Sequence, residues 1–334
     1  ADPGIYDGGL AVRLARAIGL DAAWVPAGGF HGLPANSFTW PDTTRYVDEW
    51  GTGYQVGADS WPLAFPQTYP VHTMADWQAV IARHPDPHAA WRVAYAQAAL
   101  AEARQAMNGV PGADAPGAGD LAVVAGIRGP FSATWMLMGL QQLSFSLVDE
   151  PALLDAMFAD LADFWTEVGL GLAAAGIDAL VIHDDQGSGT STFIAPRMFR
   201  RHVLPHLRRQ IQALATKVPV ILHSCGNING ILPDLIDCGI SGLNNLQRSA
   251  GMDLAAVKAA YGRRLCLIGN VDATNVMPYA SPAEVEAAVK DCLAVAAPGG
   301  AYVLATDHSF HGGIPPANVA AFVAAGHRHG RYAL

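Results

Sequence analysis

Lysine is nearly missing from this chain. Three occur among 334 residues, Lys217, Lys258 and Lys290. The other basic residues are arginines, and together with the abundant alanine this reads as genome composition bias rather than function. Charged residues make up only 15 %, and their balance is acidic, with a formal net charge of −9. An acidic chain without a basic cluster excludes phosphate-backbone binding as its main task, although a few arginines in a cleft still suffice for an anionic small substrate. No apolar run approaches the ~20 residues needed to span a bilayer. No basic stretch precedes an apolar one, so no signal peptide is read. Cysteine is scarce: Cys225, Cys238, Cys266 and Cys292 all lie in the last third. None forms CxxC, which excludes thioredoxin and zinc-ribbon readings. Free thiols in a cytoplasmic protein are the simplest account. The opening Ala-Asp-Pro-Gly does not look like a natural start, which leaves room for a processed or tag-derived beginning and a missing native segment.

About half the residues are hydrophobic, enough for a large core. The second half alternates strand-like and helix-like segments. Strands are expected over 177–184, 218–223, 240–247, 265–272 and 301–307, and earlier over 22–26 and 121–128. Helices are expected over 196–214, 228–238 (capped by Gly239), 253–261 (stopped by Gly262) and 316–327. Another begins at Ser281, with Pro282 at its first position and Glu284 three residues on. Short apolar strands alternating with helices mean parallel strands joined by crossovers. A doubly wound sheet also fits, but no GxGxxG follows any strand, so no dinucleotide site is suggested. Residues 30–75 differ: they are rich in Trp, Tyr, Pro and Gly and read as a β-hairpin with irregular loops over one barrel mouth. No internal repeat is found, and one domain over residues 1–334 is expected.

Three polar clusters sit at strand ends. In His223-Ser224-Cys225-Gly226-Asn227, residues i and i+2 of a strand point to the same side. His223 and Cys225 then face the mouth, where imidazole nitrogen and thiolate sulfur suit a borderline-soft ion. A buried Cys beside a hydrogen-bonded His is the plainer alternative. Asp307-His308-Ser309-Phe310-His311 follows the last strand and adds an imidazole and a carboxylate, or else a capped loop with solvated histidines. His183-Asp184-Asp185-Gln186-Gly187 offers adjacent carboxylates that hold a metal or a substrate amine, share a proton, or merely cap a turn. Asn244, Asn245, Gln247, Asn270 and Asp272 end two further strands and are expected to line the mouth. Asp48 and Glu49 lie in the aromatic hairpin, reaching the site or pairing with Arg45.

These clusters resemble the uroporphyrinogen decarboxylase superfamily. The likeness rests on GIRGPF with a following MGLQQL and DEPALLDAM, on HSCGNINGILPDLIDCGISGLNNLQ, on LIGNVDATNVM, and on GGAYVLATDHSFHGGIPPANV. It implies a (β/α)₈ TIM barrel with its site at the C-terminal ends of the strands. The superfamily implies two chemistries. Its true decarboxylases work without metal or cofactor on tetrapyrrole acetates and carry an N-terminal arginine signature, an Asp and a His. Asp48 is offered for the Asp and His308 for the His. The arginine signature is absent, since Arg13 and Arg16 sit in an ordinary helix pattern. Its zinc-dependent, corrinoid-linked methyltransferases carry His-x-Cys after one strand and a Cys after the last. His223 and Cys225 match the first part, and His308 stands where the last Cys is expected.

The expected function is therefore a zinc methyltransferase moving a methyl group between a small ether, amine or thiol and a corrinoid. No corrinoid-binding DxHxxG occurs, so the corrinoid is expected on a partner protein. The metal ligands expected are His223, Cys225 and His308. The catalytic carboxylates expected are Asp184, Asp307 and Asp48. Substrate contacts are expected from His183, Asn227, Gln247, Asn270, Asp272 and Arg45. A neutral His308 in place of a thiolate favours an oxygen or nitrogen substrate over a soft thiol. The alternatives are a metal-free decarboxylase of uroporphyrinogen or a smaller aromatic acid, and a barrel that binds a ligand without turnover. Either a monomer or a homodimer fits the family.

Overall fold

In the computed structural model, residues 8–26, 45–55, 65–83, 85–105 and 121–331 are described. Among the described residues ten strands are found: β1 (Ala22–Pro26), β2 (Arg45–Val47), β3 (Gly53–Gln55), β4 (Phe65–Thr68), β5 (Ala122–Arg128), β6 (Ala179–His183), β7 (Val220–His223), β8 (Gly242–Asn244), β9 (Cys266–Val271) and β10 (Tyr302–Thr306); from β5 on, helices lie between them. Seven form one sheet in the order β1-β5-β6-β7-β8-β9-β10. The pairs β1–β5, β7–β8, β8–β9 and β9–β10 are parallel. Sheet order thus follows chain order. A doubly wound sheet would reverse its order at a switch point, so the path is that of a singly wound, TIM-barrel-like fold. The eighth strand of a closed barrel is not among the described residues.

The chain divides into two compact units. The first comprises Ala1–Ile182 and Met198–Val218. Its β5 carries Val123, Ala125 and Ile127 fully buried, as an apolar run covered by helices requires. The 25-residue helix Pro151–Ala175 lays Leu154, Met157, Phe158, Leu161 and Val168 into this core. Truncating a side chain such as Phe158 to alanine there costs about 3–5 kcal/mol. The expected helix over 196–214 is present but not uniform. Pro196–Met198 and Leu204–Ala215 flank a π-helical turn, Phe199–Val203, closed by Leu204 N donating to Phe199 O. Pro205 explains it: a proline has no N–H for the carbonyl one turn back, and the wider turn accommodates its ring.

The same unit holds the described part of the aromatic-rich region. β2 and β3 pair antiparallel as the expected hairpin, and β4 adds a third strand that the sequence reading did not separate. Trp50 stacks on Trp77 and meets Phe164 edge-on. Glu49 pairs with the buried Arg92 at 2.6 and 2.8 Å rather than with Arg45, which is exposed. The expected cover over a barrel mouth draws on residues 30–44 and 56–64, which lie outside the described residues.

The second unit comprises His183–Arg197 and Pro219–Leu334. Two of its helices begin on side-chain caps. Asp253 accepts from Ala255 N and Ala256 N, and Ser281 and Glu284 form a reciprocal capping box. The helix expected over 228–238 is confined to Leu232–Ile236. Among the described residues, no helix is long and apolar enough to cross a membrane.

Candidate functional site

β7 ends on His223, and the chain then turns through Ser224 and Cys225. Both His223 and Cys225 are partly open, while Ser224 between them is buried. The alternation expected of a strand end therefore holds. Cys225 Sγ lies 3.5 Å from His223 Nε2. His223 Nδ1 lies 2.6 Å from Asn244 Oδ1, and the Asn244 amide nitrogen is directed to Ile268 O at 3.3 Å. An amide oxygen only accepts, so Nδ1 carries the hydrogen. In the neutral ring Nε2 then presents its lone pair toward the sulfur, the tautomer a metal ligand needs.

A third donor comes from the loop after β6. His183 and Asp185 alternate with a fully buried Asp184. Asp185 Oδ1 lies 3.7 Å from His223 Nε2 and accepts Cys225 N at 2.8 Å. Asp185, His223 and Cys225 each bring a ligand atom within 4.8 Å of the other two, the one such group among the described residues. Tetrahedral zinc with N, O and S donors places N and S about 3.6 Å apart and N and O about 3.3 Å apart. The spacings found, 3.5 and 3.7 Å, are close to these, so the donor set fits a zinc ion.

Two loops meet closely to make this arrangement. A Cβ on Gly187 would lie 2.6 Å from Cys225 O, and one on Gly226 only 2.2 Å from the Gly187 carbonyl carbon. Gly226 also has φ +79°, where side chains are disfavoured. The crossing is tied by Asn227 N to Ser188 O at 2.7 Å, Gln186 N to Ser224 Oγ at 2.9 Å, and Asp184 N to His223 O at 2.9 Å.

His308 follows β10. It is exposed, and its imidazole hydrogen-bonds the Cys225 thiol, which raises its pKa. Burial pushes the Cys225 thiol up, and the hydrogen bond from His308 opposes that shift. Asn245, buried beside them, donates its amide to Cys225 Sγ at 3.4 Å. His183 stacks obliquely on His223, with ring centroids 4.9 Å apart.

Several other expected site residues are occupied with their own loops. Asp184 accepts from Gln186 Nε2 at 2.7 Å. Asp307 is fully buried and accepts Arg248 N and Ala273 N at 2.9 and 2.8 Å, with burial raising its pKa. Asp272 caps Thr274 N and Asn275 N. Asn270 donates to Leu246 O and Met252 O. Asn227 donates to Ala250 O, and Gln247 accepts from Gly226 N. Of these, Asp184, Asn227 and Gln247 fasten the loops that carry the cluster. Asp48 and Arg45 belong to the first unit. Asp48 Oδ1 accepts Trp50 N and Thr52 N, and burial raises its carboxyl to about 7.

Of the two adjacent carboxylates in the His183–Gly187 cluster, Asp185 comes within ligand reach of His223 and Cys225, whereas the sequence reading singled out Asp184. The i, i+2 rule that selects His223 and Cys225 also selects His183 and Asp185, and it turns Asp184 inward.

The model of the family "Uroporphyrinogen decarboxylase (URO-D)" matches residues 49–329. The methylcobamide:CoM methyltransferase MtaA of Methanosarcina barkeri is 29 % identical over 210 residues, covering 62 % of this chain and 58 % of that protein. The uroporphyrinogen decarboxylase of Psychromonas ingrahamii is 28 % identical over 205 residues, covering 58 % and 55 %. The match thus spans less than two thirds of these relatives' own length. Among solved structures, a methyltransferase from Methanosarcina mazei superposes with a TM-score of 0.68 at 21 % identity, covering 97 % of this chain and 86 % of that one; at that identity the likeness is one of fold. With 281 consecutive positions matched by the family's model, the chain belongs to the uroporphyrinogen decarboxylase (URO-D) family.

Proposed function

We propose that this protein is a metal-dependent methyltransferase, moving a methyl group between a small heteroatom substrate and a corrinoid carried by a partner protein. The observation that carries the reading is the His223–Cys225 pair: an imidazole whose tautomer is fixed by Asn244, with its lone pair turned toward a thiol 3.5 Å away. That tautomer leaves the Nε2 lone pair available to an ion, as a metal ligand requires. The name of the Methanosarcina barkeri relative supports the same class.

His223 and Cys225 supply two donors, and Asp185 lies within ligand reach of both. Bound there, zinc would supply Lewis acidity to the substrate heteroatom. Asn244 holds the His223 ring in its binding tautomer. Asn245 and His308 direct hydrogen bonds at the Cys225 sulfur, which withdraws charge from it. His183 packs against the His223 ring and limits its rotation.

Zinc analysis of the purified protein tests this reading, with methyl transfer from methylcobalamin to thiol, amine and alcohol acceptors followed by loss of the cofactor's absorbance. The account expects about one zinc per chain in the native protein, lost in Cys225→Ala together with transfer. Zinc far below one per chain, unchanged by that substitution, contradicts it. The competing lyase reading has one observation of its own, the buried Asp48 carboxyl raised to about 7. Incubation with uroporphyrinogen and product mass decides it, and a loss of carbon dioxide would replace the methyltransferase reading.

A further inference from the structure

We infer that Asp185, not His308, is the third metal ligand of this chain, giving a His–Cys–Asp donor set; the inference rests on the metal-dependent reading above. Three features converge. Asp185 is the carboxylate that joins His223 and Cys225 within mutual ligand reach. Its Oδ1 is held in place by Cys225 N at 2.8 Å, so nitrogen, sulfur and oxygen are arranged before any ion arrives. The Gly187–Gly226 crossing ties its loop to the Cys225 loop through backbone contacts that leave no room for a Cβ. His308 differs on each count. It is exposed, and it lies outside the convergent group. It is a positioning residue that donates to the sulfur from outside the ligand set.

The consequence is electrostatic. A neutral imidazole, a thiolate and a carboxylate balance a divalent charge, whereas two imidazoles and one thiolate leave one positive charge over. A carboxylate is also a harder donor than the thiolate expected after the last strand, so the site accepts zinc and cobalt(II) with less preference for thiophilic ions. The Asp185 side chain is 35 % exposed and that of His223 17 % exposed, which leaves the cluster open on one side for the substrate heteroatom.

The test uses the full chain, stripped with chelator and titrated with cobalt(II) while the sulfur-to-cobalt charge-transfer and ligand-field absorption are recorded. Zinc affinity is then measured by competition with a chromophoric chelator. Asp185→Asn should weaken zinc by more than about 100-fold, beyond the 10–100-fold typical of an outer partner, and should change the ligand-field bands. Asp185→Glu, which keeps the carboxylate, should recover part of that loss. His308→Gln should retain one ion per chain and the charge-transfer band, with at most about tenfold weaker binding. A loss in His308→Gln equal to or greater than that in Asp185→Asn overturns the inference and leaves the metal-dependent reading standing. A wild-type protein that takes up neither ion and shows no charge-transfer band overturns both.

Discussion

Replacing Gly187 by alanine tests whether the two loops must touch for the site to exist. The added Cβ would lie 2.6 Å from Cys225 O and 2.7 Å from both Asn227 N and the Gly226 carbonyl carbon. All three are backbone atoms, so no side chain can rotate out of the way. Reaching ordinary contact near 3.4 Å requires the loops to part by about 0.8 Å. The 2.8 Å bond from Cys225 N to Asp185 and the 2.7 Å bond from Asn227 N to Ser188 O would then stretch past useful hydrogen-bond length. Two such bonds contribute about 1–3 kcal/mol together, a fall in melting temperature of several degrees at most. The larger effect falls on the ion, because Asp185 and Cys225 no longer meet: zinc affinity should drop at least tenfold, with far-UV circular dichroism unchanged. Thermal melting and chelator competition on the same preparation read both quantities. A Gly187→Ala protein with wild-type melting temperature and zinc affinity would refute the reasoning, because it would mean that the loops approach without depending on that contact.

Three further predictions follow from single hydrogen bonds or burial. Asn244→Ala removes the acceptor that fixes the His223 tautomer and should weaken zinc by about 10–100-fold, measured by chelator competition, with little change in melting temperature. Asp307→Asn places an amide NH₂ against Arg248 N or Ala273 N and should destabilise the protein by about 1–3 kcal/mol, seen in denaturant unfolding; an unchanged midpoint would remove Asp307 from its bracing role. Asp48 has a folded pKa of about 7 against an ordinary 3.8, so burial favours its neutral form. Its contribution is fully present below the unfolded value and is lost as pH rises through the folded one, at 1.36 kcal/mol per pH unit and about 4 kcal/mol in total at most. Asp48→Asn, which cannot ionise, should therefore gain in melting temperature relative to wild type between pH 5 and pH 8, and a pH-independent difference would show that Asp48 does not titrate there.

Most of the fold is legible because its signals are local. β5 through β7 and β9 are largely buried apolar runs and β10 is an apolar run with Tyr302 buried, and such runs stand out without knowledge of their neighbours. The Asp253 and Ser281 caps act within three residues of themselves. The π-turn at Phe199–Val203 was hidden because Pro205 acts backward on a carbonyl one turn earlier, inside a segment whose apolar spacing reads as continuous helix. At the site, the i, i+2 rule located His223 and Cys225. The same rule counted from His183 separates Asp185 from Asp184, but it can be applied only once His183 is known to lie on the open face. The roles of Asp272, Asn270, Gln247 and Asn227 were illegible for a related reason. A polar residue at a strand end is needed either for substrate or for the loop's own N–H and C=O groups, and only the partners distinguish the two. His308 occupies the position of a ligand in the family motif, and the inference above gives it a positioning role beside Cys225 instead.

The most direct test is X-ray absorption at the zinc edge on the zinc-loaded protein. The account predicts one sulfur scatterer at ~2.3 Å together with nitrogen or oxygen scatterers at ~2.0–2.1 Å, and loss of the sulfur shell in Cys225→Ala. A zinc environment made only of nitrogen and oxygen in the native protein would contradict it.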